Sequence, residues 1–258
     1  VGRFLGGHEA ATVTECLEGD LWIDFIADSG DDRDVSGAVA DILFREYLVP
    51  ATSYDEGDEI VAPRGDILLF GGDTAYPVAT DIEIHNRVCI PFNDVLRDRQ
   101  DGQPRVLLGI PGNHDWYDGL DGFARMFRAR RGTVDRQTIS PDQTVDTGGA
   151  VGHLLDWVEA FRVGNNVVKR STLPLLGYTP LQNSSYFALH LAPWLDLWAV
   201  DRQLRGVDFS QRSFFMQERG DAPDHALVMV IADPAFAHLE PFDIGQAVLE
   251  SLEVSIEH

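Results

Sequence analysis

The segment 109–123, GIPGNHDWYDGLDGF, carries an amide, an imidazole and a carboxylate in consecutive positions, Asn113, His114 and Asp115, directly after the apolar run RVLLGI (105–110). Asp28 closes a second apolar run, LWIDFIAD (21–28), and Asp73 follows a third, DILLFGG (66–72). Carboxylates, amides and imidazoles are the ligands that hard and borderline divalent cations prefer. Two such cations held close together need a ligand that bridges them, usually a carboxylate, and terminal ligands delivered from different loops. Each position also has a plainer reading. Asp28 lies in a Ser-Gly-Asp-Asp turn, Gly71-Gly72-Asp73 has the composition of an ordinary turn, and Asn113 and Asp115 could cap the helix that follows. Taken together, three such clusters after three apolar runs favour a shared site.

Strands that end side by side would bring these clusters together. LWIDFIAD, DILLFGG and RVLLGI read as short buried strands. VSGAVADILFREYLV (35–49) has helical spacing and stops at Pro50, and ATSYDEGDE (51–59) reads as a loop. IEIHNRVCIPFNDVLRDR (82–99) reads as mostly helical with a kink or break at Pro91, and GLDGFARMFRARR (119–131) as a further helix. Strand alternating with helix implies an α/β chain with a parallel sheet and helical crossovers. In such sheets, sites gather beyond the carboxyl ends of the strands, where DSGDDRD, GGDTAYP and PGNHDWYDG fall. Residues 132–150 are polar and rich in Gly, Thr and Asp, which predicts a loop insertion. HLLDWVEAFRV (153–163) reads as an amphipathic helix, and 183–201 as an antiparallel hairpin joined at Ala192-Pro193. ALVMVIADPAF (226–236) reads as a buried strand broken by Pro234, and IGQAVLESLEVSIEH (244–258) as a helix. With no internal repeat or heptad pattern, 1–258 reads as a single domain.

Composition narrows the function classes. Forty-two acidic against twenty basic residues give a net charge of −22, a field that repels nucleic acids and anionic membranes. The bland account is a solvated acidic surface, and some of the aspartates can hold cations as well. No apolar run is long enough to span a bilayer. The first residues lack the basic-then-apolar pattern of a signal peptide, and the chain begins at Val1 rather than Met, so no compartment follows. Cys16 and Cys89 support neither a disulfide framework nor a Cys-rich metal motif, and Cys89, in a helical and apolar context, reads as core.

The order Asp28, then Gly72-Asp73, then Gly112-Asn113-His114-Asp115 resembles the calcineurin-like metallophosphoesterases. Gly72-Asp73-Thr74-Ala75-Tyr76 is similar to the motif of their purple acid phosphatase branch. Asp28-Ser29-Gly30, without the histidine most of the superfamily carries there, agrees with that branch. The resemblance covers 21–120 well and 183–236 in outline. It implies a layered β-sheet sandwich flanked by helices and a dinuclear centre of Fe, Mn or Zn that hydrolyses phosphate esters. Asp28 would bind one metal, Asp73 would bridge both, and Asn113 would bind the second through its amide oxygen. Tyr76 would supply a phenolate to the first, in place of the missing histidine. Water acidified by the cations would attack phosphorus in line. His114 would serve as hydrogen-bond donor or general acid at the leaving group, with Asp115 orienting its imidazole. A tyrosine before Pro77 can equally pack over the turn.

The family pattern continues with a histidine after a later strand and then Gly-His-x-His. Here VMVIAD (228–233) ends in Asp233-Pro234, and no Gly-His-x-His occurs. Asp233 or His238 could stand in for a missing ligand, although an isolated aspartate before proline more often belongs to a turn. His190, within a strand, and His153, on a helix, read as structural, while His225 carries no motif. The absent segment would fall beyond His258, so the sequence reads as a domain that continues. Two functions fit: a phosphoesterase, or a non-catalytic binding or regulatory module that retains the scaffold. A nucleotide-binding α/β domain fits poorly, since no Gly-rich phosphate loop follows the first strand.

Overall fold

The computed structural model describes residues 21–50, 59–129, 172–202, 207, 209–221 and 224–232. Nine strands run in chain order among them: β1 (Ile23–Ile26), β2 (Tyr47–Pro50), β3 (Glu59–Ala62), β4 (Ile67–Phe70), β5 (Arg105–Gly109), β6 (Tyr178–Pro180), β7 (Phe187–Ala192), β8 (Leu195–Val200) and β9 (Ala226–Ile231). The helices are α1 (Arg33–Leu43), α2 (Asp81–Ile84), α3 (Ile90–Arg97), α4 (Asn113–Tyr117), α5 (Asp121–Phe127) and α6 (Phe209–Asp221), with a π turn, His85–Cys89, between α2 and α3.

The expected parallel sheet is present, in the order β1-β4-β5-β6. Successive side chains of its central strand point to opposite faces, as the two-residue period of a strand requires. Leu68 and Phe70 join Leu107 under Phe92, Leu96, Phe123 and Phe127 of the helices. Ile67 and Leu69 join Leu108 on the other face, against Phe187, Leu189, Leu197 and Ala199 of a second sheet. That sheet has the order β7-β8-β9, with β7 antiparallel and β9 parallel to β8. Its outer face carries Ala188, Trp198 and Val200, which pack on Phe215 of α6. The layers are therefore helices, sheet, sheet, helix. Each fully buried Phe or Leu stabilises this stack by about 1.5–3 kcal/mol relative to exposure.

Several local expectations change. β1 is an edge strand among the described residues, and Phe25 is 54% exposed, so it is half-buried rather than buried. β9 is likewise an edge strand of its sheet, with Val228 at 45% exposure. The helix expected over 35–49 ends at Leu43, because Tyr47–Pro50 pairs antiparallel with Glu59–Ala62. β-branched and aromatic residues at its end prefer that ladder to a helix. Its start is set by Asp32, whose carboxylate accepts from the amides of Asp34 and Val35. The helix over 82–99 does accommodate Pro91. The π turn just before it widens the helix where proline offers no amide and its ring crowds the preceding turn. The insertion over 132–150, the helices over 153–163 and 244–258, Asp233 and His238 lie outside the described residues.

Candidate metal centre

The three polar clusters sit at the carboxyl ends of adjacent parallel strands, β1, β4 and β5, because the register Ile26–Phe70–Gly109 aligns those ends. Asp28 and Asp73 both adopt left-handed backbone, φ 55° and 49°. Aspartate tolerates this region better than most residues, yet two such positions side by side mark turns shaped for a site. The turns are fastened to one another. The Asp28 amide donates to the Gly72 carbonyl (3.2 Å), and the Tyr76 amide to the Gly30 carbonyl (3.0 Å). Gly112 admits no side chain, since a Cβ there would stand 2.0 Å from Asp73 Oδ1 and 2.3 Å from its amide nitrogen.

Three oxygens converge in consequence. The Tyr76 hydroxyl donates to Asp28 Oδ1 at 2.5 Å and lies 3.1 Å from Asp73 Oδ2. Burial, and then the hydrogen bonds and charges of Asp28 and Asp73, hold the phenol proton far above its ordinary range. The other carboxylate oxygen, Asp73 Oδ1, accepts the backbone amide of His114 at 2.9 Å, which aims Oδ2 at the tyrosine. Two carboxylates facing one phenol oxygen form an all-oxygen donor set suited to a hard cation. Asn113 stands on the first turn of α4, and its amide nitrogen donates to the Tyr117 hydroxyl (2.9 Å), so its oxygen is the end directed elsewhere.

His114 and Asp115 depart from the expected pairing. The Asp115 carboxylate is fully buried and accepts the amides of Gly112 (2.8 Å) and Thr74 (3.3 Å). It closes the capping turn of α4 and ties the β5 turn to the β4 turn, the capping role weighed above for this residue. Burial pushes its acid up to about 6, against the pull of those amides. The His114 imidazole is oriented instead by the Pro77 carbonyl, 2.6 Å from Nδ1. Its ring lies 4.3 Å from that of Tyr76 and 5.1 Å from that of Tyr117. A proton on Nδ1 leaves Nε2 as the nitrogen that can face a ligand. Tyr76 thus both packs, against His114, and presents its hydroxyl to the carboxylates.

The second sheet reaches the same end of the molecule. Trp116 Nε1 donates to Asp201 Oδ1 at 3.0 Å, just past the end of β8. A Cβ on Gly72 would meet the Cβ of Ala232, just past the end of β9, at 2.6 Å.

His190 and His225, read above as structural or without motif, come together at the opposite end of that sheet. Both Nδ1 atoms approach Asp196 Oδ1, at 2.5 and 3.1 Å. One signal was available in the sequence: a hairpin turning at Ala192-Pro193 sets residues 190 and 196 opposite each other, as the ladder has them. No family model matches the chain, and neither a curated protein nor a solved structure matches it.

Proposed function

We propose that this chain is a metallophosphoesterase that hydrolyses phosphate esters at a dinuclear centre, of the calcineurin-like kind and closest to its purple acid phosphatase branch. The observation that carries this reading is the meeting of the Asp28, Asp73 and Tyr76 oxygens at the ends of adjacent parallel strands. The helix–sheet–sheet–helix layering supports it as well. The donor chemistry fits the cations. Asp28 and Tyr76 would hold one, Asn113 the other, and Asp73 both. Two such cations, bound, would neutralise phosphate charge and make water nucleophilic near neutral pH.

The remaining chemistry belongs to the side chains. Asp73 keeps one oxygen on the His114 amide, which fixes its orientation without using the oxygen that faces Tyr76. His114, held through Nδ1 by Pro77, would direct Nε2 to the leaving-group oxygen and give it a proton. Asp115 would act at one remove, by holding the Gly112 turn against Asp73, where a side chain would not fit.

The test is metal titration of the chelator-stripped full chain, with hydrolysis of an aryl phosphate in added manganese, iron or zinc. Asp73→Asn should abolish binding at this centre more completely than Asp28→Asn or Asn113→Ala. His114→Ala should retain the metals and slow turnover by roughly 10²–10⁴-fold. Loss of metal in His114→Ala with retention in Asp73→Asn would overturn these roles. A second reading, a binding or regulatory module on the same scaffold, draws on the commitment of Asp115 to backbone amides. Metal bound at Asp73 with no hydrolysis in any metal would favour it.

A further inference from the structure

The strongest cluster of ligating groups outside that centre is His190, Asp196 and His225, whose ligand atoms all lie within 4.8 Å of one another. Each comes from a different segment: His190 from β7, Asp196 from β8, and His225 from the residue before β9. The placement follows from the ladder. His190 pairs directly with Asp196 across the hairpin, and Ala226 pairs with Leu195, which sets His225 beside the start of β8. The backbone of His225 is further held by Arg219 of α6, whose guanidinium donates to its carbonyl at 3.1 Å.

Asp196 is buried, an unusual position for a carboxylate unless it is paired or binds a cation. Both imidazoles turn Nδ1 toward the same oxygen of that carboxylate. The rings meet edge to face at 5.8 Å, so their nitrogens converge rather than stack. A second buried carboxylate, Glu218 of α6, lies 3.9 Å from the other nitrogen of His190. A histidine with one nitrogen in the cluster and a carboxylate near the other is the arrangement in which metal-ligating histidines are usually oriented. The His190 side chain is 40% exposed, which leaves a route in from solvent.

We propose that His190, Asp196 and His225 form a mononuclear zinc-class site, separate from the strand-end centre, in which Glu218 positions His190. Two imidazoles and one carboxylate are a zinc-type donor set, with the fourth position left to water. The cation would join β7, β8 and the lead into β9 at the end of the sheet opposite the Asp73 turns. The proposal does not depend on phosphoesterase activity.

The experiment uses the chelator-stripped full chain and zinc alone. Equilibrium dialysis gives the zinc stoichiometry, thermal melts give the zinc-induced shift, and cobalt substitution reports coordination through its visible spectrum. The wild type should bind one more zinc than His190→Gln/His225→Gln, and the variant should lose a zinc-induced stabilisation of several degrees. Asp73→Asn should keep that zinc and its cobalt spectrum, which separates this site from the strand-end centre. Glu218→Gln should keep the stoichiometry and weaken affinity by roughly 10–100-fold, the usual scale for an outer partner of a ligand. Circular dichroism of the glutamine variants checks that they fold, and Asp196→Asn provides a second removal of the site should they not. Equal stoichiometry and equal zinc-induced shifts in wild type and the double variant would overturn the proposal. So would loss of all zinc on Asp73→Asn alone, or a cluster that bonds His190 and His225 to Asp196 without taking zinc.

Discussion

Tyr76 and Gly112 both shape the candidate centre, one by what its side chain presents and the other by having none. The Tyr76 ring rests on His114, so phenylalanine in its place keeps that packing while removing the oxygen that meets Asp28 and Asp73. In iron-loaded protein a tyrosinate ligand should give a visible charge-transfer band, and Tyr76→Phe should abolish it with little change in melting temperature. A colourless, fully iron-loaded wild type would leave the tyrosine with packing alone. Gly112 works by omission. A methyl group there would overlap Asp73, so Gly112→Ala must push the Asp73 carboxylate or its backbone aside. The expected outcome is a loss of metal content and of about 1–3 kcal/mol in stability, the usual cost of overpacking. Dialysis against manganese and urea unfolding read the two effects, and full metal content with unchanged unfolding would show that the turn yields.

At the scale of elements, two glutamines finish strands that the backbone leaves short. β6 stops at Pro180, and Gln182 continues its pairing with β5 through its side chain. Its Oε1 accepts the Gly109 amide (2.5 Å), and its Nε2 donates to the Gly109 carbonyl (2.8 Å). Gln211 of α6 makes the same pair of bonds to Asp201, just past the end of β8. Both clamps sit where a strand hands over to the candidate centre: Gly109 precedes the Asn113 turn, and Asp201 holds Trp116. Gln182→Ala would leave a buried amide and carbonyl without partners. At about 1–3 kcal/mol for each such group, the loss should be roughly 2–6 kcal/mol in urea unfolding. Faster hydrogen exchange at Gly109 should accompany it. A loss below about 0.5 kcal/mol, the range of an ordinary surface substitution, would mean that water or backbone replaces the clamp.

For the whole molecule, the relevant quantity is the net charge of −22 on 258 residues. Ion pairs such as Arg125 with Asp81 and Asp121, or Arg105 with Asp101, engage part of the acidic surface, but basic residues are outnumbered two to one. Self-repulsion at this charge destabilises the compact state, and salt screens it over a Debye length that falls from about 30 Å at 0.01 M to about 10 Å at 0.1 M. Raising sodium chloride from about 10 mM to about 300 mM should therefore stabilise the metal-free chain. A gain near 1 kcal/mol corresponds to a rise of roughly 2–4 °C in melting temperature for a domain of this size. A melting temperature that falls with salt would show that the ion pairs outweigh the repulsion.

The sequence by itself determined the parallel sheet, the hairpin over 183–201 and the clustering of Asp28, Asp73 and Asn113 at strand ends. Those features follow from local period and composition: apolar runs bounded by turn residues fix strands, and alternation with helices fixes their direction. Tertiary structure decided the rest. The end of the helix expected over 35–49 became strand because a distant segment, Glu59–Ala62, was there to pair with it. β6, only three residues long and closed by proline, and α6, with a mixed polar and apolar sequence, carry too weak a local signal to read. Asp115 could be seen as either a helix cap or the partner of His114, and only the position of Pro77 settled which atom the imidazole meets. His190 and His225 are thirty-five positions apart and belong to no motif. They meet because β9 lies parallel to β8 in one particular register, and register between distant strands is set by packing across the whole sheet, not by the residues that it brings together.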